Sequence, residues 1–430
     1  MLDEREDTFY IIDGYGFIFR AFFALPKLTT SKGEHIGAVY GFFKMLITLI
    51  NSAKPTHMVI ALDTGHRTFR NDIYDKFIEE QTIKTIYQEH KMEFDLSGIK
   101  LGDLLQMSSK DLMNFLQVDC EKCKKLCECH NVDCDKMPKV FVIALFLGIE
   151  DAIRVEDYKT QYKANRKETP DELRSQFKII REFIDATGIK SESVYGFEAD
   201  DVICSLAKNA VKKGKQVVIV SADKDLCQIV EDGKIEVYDP VKKKHLDEQG
   251  VIEKFGVKSC QVCDYLSIIG DACDNVFGVN GIGPKGAVKL LEKYGSVENM
   301  LKNLDDIDEK TRQKIIASKD LLKLAHDLIE LHDDAIEIAD IDDYRLHLNN
   351  KTLSEFLTKY EFRDFERQNR VFVNQRKGYN YNKSGNNTYC NKNDVNGSIN
   401  MFPSNQSQRE KRQETKTEIV KMDSKKTLFG

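Results

Sequence analysis

Nine carboxylates of this 430-residue chain could together bind metal ions, because several of them follow apolar runs or begin helices. They are Asp13, Asp63, Glu198, Asp200, Asp201, Asp223, Asp225, Asp271 and Asp274. Apolar runs bounded by glycine and charge, such as residues 9–12, predict buried parallel strands, whose carboxyl ends line the ligand crevice of an open α/β sheet. Carboxylates gathered there repel one another unless cations neutralise them. Hard oxygen ligands favour Mg²⁺ or Mn²⁺, so the pattern predicts a metal site.

Such a cluster suits phosphodiester hydrolysis. Two divalent ions roughly 3.5–4 Å apart can activate water and stabilise the leaving oxygen. A glycosidase needs only two carboxylates, so nine would be excessive for that reaction. Each piece alone has a simpler explanation, because acids at a helix start, such as Glu198 and Asp201, complement the helix dipole, and aspartates are common in loops. Their conjunction with Asp13 and Asp63 favours one shared site.

The elements that must position these residues alternate between strands and helices. Residues 7–75 are predicted as strand, helix and strand, and helices are predicted over 170–190 and 198–213, with a strand at 216–220. This alternation predicts an α/β fold with a mostly parallel central sheet. From about residue 250 the pattern changes to short helices and glycine turns. We predict an α/β domain over 7–254, a helical domain over 255–370, and a disordered Asn-rich tail over 371–430.

Two segments could contact nucleic acid. Residues 278–285, followed by an apolar periodic run, predict a helix-hairpin-helix in which Gly281 and Gly283 let backbone N–H groups approach a phosphate. Together with Lys285 and Lys289, this hairpin would grip a DNA backbone without reading its sequence. The alternative is a packing corner between two helices.

The second segment joins Tyr162 to Lys163, Arg166 and Lys167. An aromatic ring beside several cations can stack on a base and clamp phosphates. The alternative is a solvated run of charges.

Composition limits the class of protein. The formal net charge of −6 argues weakly against nucleic-acid binding, although the acidic cluster is local. No signal peptide is visible at the N-terminus, and the most apolar stretch, residues 140–147, is shorter than the roughly 20 residues that span a bilayer. We therefore expect a cytoplasmic, nucleoid-associated monomer with no membrane partner. The 11 cysteines are expected to be free thiols or metal ligands rather than disulfides.

The motifs occur in an order that resembles one family. They are Ile12-Asp13-Gly14, Gly37-Ala38-Val39-Tyr40-Gly41-Phe42, Ala61-Leu62-Asp63, Tyr162-Lys163-Ala164-Asn165-Arg166, Glu198-Ala199-Asp200-Asp201, Asp223-Lys224-Asp225, Gly270-Asp271, Asp274-Asn275 and the glycine hairpin. In this order the chain resembles the 5′-nuclease (flap endonuclease-like) family, specifically the 5′→3′ exonuclease region of bacterial DNA polymerase I. The resemblance covers about residues 7–370 except for one insert.

The resemblance implies a PIN/resolvase-like nuclease domain followed by a helical helix-hairpin-helix (H3TH) domain. It places all nine carboxylates on two Mg²⁺ or Mn²⁺ ions and Lys163 and Arg166 on the scissile phosphate at the foot of a helical arch. It puts Tyr162 against the substrate, Arg20 and Arg70 on phosphates, and K⁺ on the carbonyls of the hairpin. The implied substrates are DNA with 5′ flaps, nicks or RNA primers, with a polymerase as an expected partner.

Three departures from the family pattern leave alternatives open. Cys273 and Phe277 replace the usual Ser and Pro around Asp274, which we expect to be tolerated. An insert lies at about 77–161, because Arg70 and Lys163 are 93 positions apart. The chain also stops at Gly430, where a polymerase would continue. The insert could make the protein a non-catalytic binder of branched DNA, and the third departure favours the nuclease part of a split DNA polymerase I.

The insert also carries a cluster of potential zinc ligands. These are Cys120, Cys123, Cys127, Cys129, His130 and Cys134. Their residue types suit zinc, although the spacing matches no standard zinc knuckle. The alternative is an insertion that loops out at the surface.

Overall fold

A six-stranded sheet forms the centre of the computed structural model, which describes residues 8–118, 138–147 and 162–362. The strands are β1 (Thr8–Asp13), β2 (His57–Ala61), β3 (Lys190–Glu192), β4 (Gln216–Val220), β5 (Ile235–Asp239) and β6 (Lys244–Leu246). Their order is β3-β2-β1-β4-β5-β6, and only β6 runs antiparallel to its neighbour. The predicted α/β fold with a mostly parallel sheet is confirmed.

The register of the three central strands aligns their carboxyl ends. Ile12 of β1 lies opposite Ile60 of β2 and Val220 of β4. The side chains of β1 and β2 are almost wholly buried, as expected for parallel strands covered on both faces. The residues that follow the strands, among them Asp63 and Asp223, therefore emerge at one edge of the sheet.

Helices cover the sheet and continue beyond it. The α-helices are Gly14–Ala24, Gly37–Ala53, Phe69–Glu89, Lys91–Ser97, Leu101–Gln106, Ser109–Phe115, Lys139–Leu147, Asp171–Arg174, Phe177–Thr187, Ala199–Lys212, Glu248–Phe255, Val262–Ile269, Pro284–Tyr294, Val297–Lys302, Glu309–Ala317, Lys319–Ile329 and Asn350–Lys359. Short 3₁₀ turns lie at Asp225–Ile229, Ser259–Gln261, Leu304–Asp306 and Ile341–Tyr344. Among the described residues, no helix has the length and apolar content needed to cross a membrane.

Some helix boundaries differ from those predicted. The helix predicted over 170–190 is two helices, Asp171–Arg174 and Phe177–Thr187, and the second ends at Gly188 with φ of +76°. A side chain at Gly188 would also meet the backbone oxygen of His347 at 2.8 Å. The helix predicted over 198–213 is confirmed as Ala199–Lys212. The helix Gly14–Ala24 was not predicted, since it follows β1 without an intervening loop.

One apolar core runs from the sheet into the helical region. It joins Ile11 and Ile219 of the strands to Leu266 and Leu328 of the later helices. The chain then returns to the sheet, where the backbone N–H of Leu346 donates to the oxygen of Thr56 at 2.9 Å. The helical region is thus packed directly on the sheet, and the boundary at 254/255 stays a prediction.

The described part of the predicted insert has a core of its own. Ile83, Phe94, Leu104, Leu112 and Ile143 are buried together there. Ile83 lies 14 residues after the start of the helix Phe69–Glu89, which is about 21 Å at 1.5 Å per residue. The predicted zinc ligands over 120–134 and the tail over 371–430 lie outside the described residues. The five cysteines within the described residues are free thiols, as predicted for them.

Candidate metal centre

Asp13 is fixed at the carboxyl end of β1 by two hydrogen bonds. Its Oδ1 accepts from the backbone N–H of Gly16 at 2.8 Å, and its Oδ2 accepts from the hydroxyl of Ser221 at 2.7 Å. A side chain at Gly16 would come within 2.2 Å of this carboxylate. Burial, opposed by these two bonds, raises the pKa of Asp13, and the charges of Asp223 and Asp63 raise it further. The side chain of Asp13 is therefore held in one position, and its ionisation costs more free energy than that of a solvated aspartate.

Asp63 and Asp200 lie beside Asp13 and complete a first group of carboxylates. Asp63 Oδ1 accepts from the backbone N–H of Ala199 at 2.8 Å, at the start of the helix Ala199–Lys212. Burial, and then the charges of Asp223, Asp13 and Asp63, raise the pKa of Asp200 well above its ordinary value. This mutual repulsion is the electrostatic signature of carboxylates that face one another, and a divalent cation would relieve it.

A second group consists of Asp225, Asp271 and Asp274. Each of the three offers one carboxylate oxygen, and these oxygens lie within 4.8 Å of one another. Asp225 Oδ1 is buried and has no hydrogen-bond partner. Burial, the charge of Asp223 and the two other members of the group raise the pKa of Asp225 to about 8. A buried polar atom without a partner is costly, and this donor set of hard oxygens fits a divalent ion such as Mg²⁺ or Mn²⁺.

A glycine-framed loop positions two members of this second group. Asp271 and Val276 exchange backbone hydrogen bonds of 2.8 Å across the loop. Behind them Gly270, with φ of +78°, packs against Gly278, where an added Cβ would lie 2.4 Å from the Gly270 nitrogen. Asp271 also accepts from the Lys224 ammonium at 2.7 Å. Because the two backbone segments touch, only glycine fits at these positions, and the contact fixes the loop.

The two predicted catalytic cations lie at the edge of the carboxylate groups. Lys163 Nζ is 2.7 Å from Glu198 and 3.7 Å from Asp274. Arg166 donates from Nη2 and Nε to Asp274 Oδ1 at 2.6 and 3.0 Å. The backbone N–H of Lys163 donates to the oxygen of Asp274 at 2.9 Å, in a left-handed conformation with φ of +60°. The structure therefore brings Lys163, Arg166 and Glu198 to the site.

The structure gives Asp201 a partner other than the two carboxylate groups, so its predicted role as a metal ligand finds no support and stays a prediction. Its side chain is fully buried, and its two oxygens accept from the Arg70 guanidinium at 2.5 and 2.8 Å. The backbone N–H groups of His332 and Glu198 donate to the same carboxylate at 3.0 and 3.2 Å. This arrangement is the simpler explanation of acids at a helix start, extended by a buried ion pair.

The predicted roles of Arg70 and Tyr162 find no support either, because both side chains are buried. Arg70 is 2% exposed and also donates to the backbone oxygens of Leu328 and Glu330 at 2.7 and 2.6 Å, so it joins the helical region to Asp201 rather than contacting phosphate. Tyr162 is 5% exposed in the apolar core, so its ring is not available to stack on a base. Lys163 Nζ lies 4.9 Å from the Tyr162 ring centroid, which leaves the ring to support the lysine.

Arg20 is partly buried, and the hairpin keeps exposed surface that could meet DNA. Burial lowers the pKa of Arg20, while the charges of Asp239 and Asp13 oppose the change, and its Nη1 has no hydrogen-bond partner among the described residues. Gly283 precedes the helix Pro284–Tyr294, on which Lys285 and Lys289 are exposed one turn apart. Their roles stay predictions.

Sequence reasoning missed three residues of the site region. Ser221 orders Asp13, Lys224 pairs with Asp271, and Lys314 Nζ donates to the backbone oxygen of Gly281 at 2.8 Å. Ser221 and Lys224 flank Asp223 in sequence, which could have indicated them. Lys314 lies 33 residues from the hairpin, and no local signal marks it.

Comparison with known proteins decides the family. Residues 8–90 and 120–256 match the model of the 5′-3′ exonuclease, N-terminal resolvase-like domain, and residues 257–352 match that of the 5′-3′ exonuclease, C-terminal SAM fold. The chain belongs to the 5′-3′ exonuclease family. The resemblance, the fold class and the assignment as a nuclease are thereby confirmed. The unmatched segment 91–119 lies inside the insert predicted at about 77–161.

Individual relatives agree with this family. The 5′-3′ exonuclease of Aquifex aeolicus is 32% identical over 336 residues, which cover 78% of this chain and 86% of that protein. The DNA polymerase I of Rhizobium leguminosarum is 32% identical over 375 residues, which cover 85% of this chain but only 28% of the polymerase. Among solved structures, a T5 5′-exonuclease mutant is 16% identical with a TM-score of 0.45, and the match covers 82% of this chain and 99% of that one.

Proposed function

We propose that this chain is a structure-specific 5′→3′ exonuclease and flap endonuclease that uses two Mg²⁺ or Mn²⁺ ions to hydrolyse DNA. One observation carries the proposal: two groups of partly buried carboxylates adjoin each other, with the side chains of Lys163 and Arg166 at their edge. The first ion would be held by Asp13, Asp63, Asp200 and Asp223, and the second by Asp225, Asp271 and Asp274. When bound, such a pair of ions supplies an activated water and stabilises the leaving oxygen.

Lys163 and Arg166 would orient the scissile phosphate. Both side chains now pair with carboxylates, Lys163 with Glu198 and Arg166 with Asp274. Bound metal ions would neutralise the carboxylates. The ammonium of Lys163 and the guanidinium of Arg166 would then be free to contact phosphate oxygens. Holding the phosphate in one geometry lowers the activation barrier by several kcal/mol, with an upper limit of about 7–11 kcal/mol. Arg20 would contact a neighbouring phosphate from the helix that follows β1.

Cleavage of a labelled 5′-flap DNA tests the proposal. Wild-type protein should release the flap with Mg²⁺, and Asp13→Asn and Asp225→Asn should each lose at least about 100-fold in rate. Asp171→Asn is the matched control, because its side chain is 95% exposed on another helix and should leave the rate unchanged. Intact flap with the wild-type protein in both Mg²⁺ and Mn²⁺ would exclude nuclease function and leave the non-catalytic binder of branched DNA.

The hairpin would grip the duplex next to the cut through Gly281, Gly283, Lys285 and Lys289. The Gly281 oxygen accepts from Lys314, so a positive charge already lies at the turn where K⁺ was expected. Lys314→Met should weaken the binding of flap DNA in Ca²⁺ by about tenfold. If K⁺ can take the place of the lost ammonium, the loss of affinity should be larger in LiCl than in KCl. Lys310→Met removes the same charge from an exposed position of the same helix and should have less effect. Equal losses would reduce Lys314 to a general electrostatic contribution.

The substrates and partners follow from the same proposal. We propose a monomer that acts in the cytoplasm on flaps, nicks and RNA primers of DNA, together with a polymerase. The chain spans 28% of the length of the DNA polymerase I relative, and the similarity to that relative supports a role beside DNA synthesis. Light scattering after gel filtration tests the monomer, and DNA synthesis from a nick with purified polymerase tests the partnership.

A further inference from the structure

A cavity of about 380 Å³ opens beside the first group of carboxylates. Asp63 lines both the cavity and the metal centre, so the two are continuous. Its other lining residues include Tyr15, Phe177, Ile180, Arg181, Ile184 and Ser193. The volume lies within the range of roughly 300–1,000 Å³ that small-molecule sites occupy. None of the residues proposed above to bind metal or DNA lines it, apart from Asp63.

One wall of the cavity is aromatic and aliphatic. The rings of Tyr15 and Phe177 meet edge to face, with centroids 5.7 Å apart and planes at 82°. Ile180 and Ile184 continue this wall along the helix Phe177–Thr187. An apolar wall that contains aromatic rings suits a nucleobase, because every base offers a π face that can stack on one of the rings.

A cation lies on the same side of the cavity. Arg181 is exposed and follows Phe177 by four residues, so both lie on one face of the helix. Burial and the charge of Asp63 raise the pKa of Tyr15, and the nearby Arg181 guanidinium opposes that rise. Although Asp185 also lines the cavity, no carboxylate within the described ranges forms an ion pair with Arg181. The guanidinium donates to the Tyr15 hydroxyl, and its remaining N–H groups are available for a phosphate.

We propose that this cavity binds one nucleotide of the substrate strand next to the scissile phosphate. The base would lie against Tyr15 and Phe177, and the phosphate of that nucleotide would contact Arg181. Continuity through Asp63 carries the argument, because the neighbour of a phosphate held at the metal centre must lie within one nucleotide of the cavity mouth. The proposal rests on the proposed nuclease function and adds a subsite that would set which nucleotide the enzyme prefers beside the cut.

Filling the cavity tests the proposal. Ser193 is exposed at the rim, so Ser193→Trp places a large ring in the space without disturbing the core, and Arg181→Met removes the charge. The matched controls are Ser354→Trp and Arg174→Met, at exposed positions of helices that do not line the cavity. Single-turnover cleavage with Mg²⁺ is measured on flap DNA that is intact or carries an abasic site at either nucleotide flanking the cut.

We expect an abasic site at one of these two positions to slow the wild-type protein about tenfold. Ser193→Trp should slow cleavage of intact DNA to that same rate and have no further effect on the abasic DNA, and Arg181→Met should slow both DNAs by a similar factor. Wild-type rates for both variants, or an equal loss for Ser193→Trp on intact and abasic DNA, would overturn the subsite. The controls should cleave all DNAs at wild-type rates.

A binding experiment distinguishes failure of the subsite from failure of the nuclease function itself. If the wild-type protein cleaves no DNA, 2-aminopurine at each flanking nucleotide reports base binding in Ca²⁺. A fluorescence change with the wild-type protein that is absent with Ser193→Trp supports the subsite without cleavage. Identical signals from the two proteins overturn it.

Discussion

At the scale of single residues, the centre combines groups whose burial opposes their charge. Asp225 is the clearest case, because its pKa rises to about 8 and one of its oxygens has no hydrogen-bond partner. Asp201 is more deeply buried, yet its oxygens are satisfied by Arg70 and two backbone N–H groups. The surroundings of Asp225 favour the binding of a cation, whereas those of Asp201 already contain one, the Arg70 guanidinium. Adjacent carboxylates of one motif thus have opposite roles.

The stability of the metal-free protein should depend on the pH through Asp225. Its folded pKa of about 8 exceeds the ordinary 3.8, so the folded state holds a proton that the unfolded state releases between these values. Stability in EDTA should therefore fall as the pH rises from about 4 to about 8. Asp225→Asn removes this penalty, so it should be more stable than the wild type by several kcal/mol at pH 8 and should differ little from it at pH 4.

Urea denaturation in EDTA at several pH values measures this difference, with Asp171→Asn as the control. Added Mg²⁺ should stabilise the wild-type protein more at pH 8.5 than at pH 6, because binding displaces the proton. The same addition should stabilise Asp225→Asn less. A wild-type protein in EDTA that is equally stable at pH 5 and pH 8 contradicts the raised pKa.

The ion pair between Arg70 and Asp201 should contribute to stability rather than to the chemistry of cleavage. Asp201→Asn or Arg70→Met leaves one buried charge without its partner, which should cost about 3–5 kcal/mol. The double variant should lose less than the sum of the two single losses, as a double-mutant cycle of urea unfolding measures. Asp201→Asn protein that remains folded at low temperature should still be stabilised by Mg²⁺. Unchanged stability together with lost Mg²⁺ stabilisation would return Asp201 to the metal ligands.

At the scale of elements, the centre is built where strand ends, one helix start and one loop converge. β1, β2 and β4 end at the same level and supply Asp13, Asp63 and Asp223. The helix Ala199–Lys212 supplies Asp200 from its first turn, and the loop over 270–278 supplies the last two carboxylates. The loop is the least regular of these, so its geometry depends most on individual residues.

Gly278→Ala should disrupt the second group of carboxylates. Its Cβ would lie 2.4 Å from both the Gly270 nitrogen and the Ile268 oxygen, so the backbone of the loop must move. Because displacements of about 1 Å can cost on the order of 100-fold in rate, we expect at least that loss in flap cleavage. Gly102→Ala is the control, since a Cβ there meets nothing within 4 Å. Wild-type cleavage by Gly278→Ala would show that the loop tolerates the shift.

At the scale of the whole molecule, the apolar core that contains Ile11 and Leu328 is separate from the core within the predicted insert, and a further set of buried side chains, among them Phe42 and Phe183, packs apart from both. The larger core joins the sheet to the helical region, and the smaller one lies within the predicted insert. Arg70 and Asp201 link the sheet side to the residues around 328–332. The nuclease centre and its helical region therefore form one folding unit. The core of the insert begins at Ile83, about 21 Å along the helix Phe69–Glu89 from the end that lies beside the centre.

Replacing residues 91–147 by a short Gly-Ser linker should leave the larger core folded. The clusters share no buried side chain, so the shortened protein should keep one cooperative thermal transition monitored by circular dichroism. Its flap-cleavage rate then decides between the remaining roles of the insert. An increase would indicate obstruction, and a decrease would indicate a contribution to substrate binding. Loss of the cooperative transition would show that the two cores depend on each other.

The sequence by itself determined the family, the sheet and most of the residues of the candidate metal centre, because residue type and order along the chain are local information. It predicted Asp13, Asp63 and the motif Asp223-Lys224-Asp225 at strand ends, which the register of the sheet confirms. It could not separate Asp200 from Asp201. Successive helix residues point about 100° apart, and here neither residue is exposed to solvent, so the periodicity of the helix gives no preference.

Only the tertiary structure decided what faces each of these residues. It placed the other carboxylates opposite Asp200 and the Arg70 guanidinium opposite Asp201. It likewise buried Tyr162, and it brought Lys314 to the hairpin from 33 residues away. A partner distant in the chain determines whether a buried carboxylate is satisfied or left to bind a cation, and that partner is set by packing rather than by spacing.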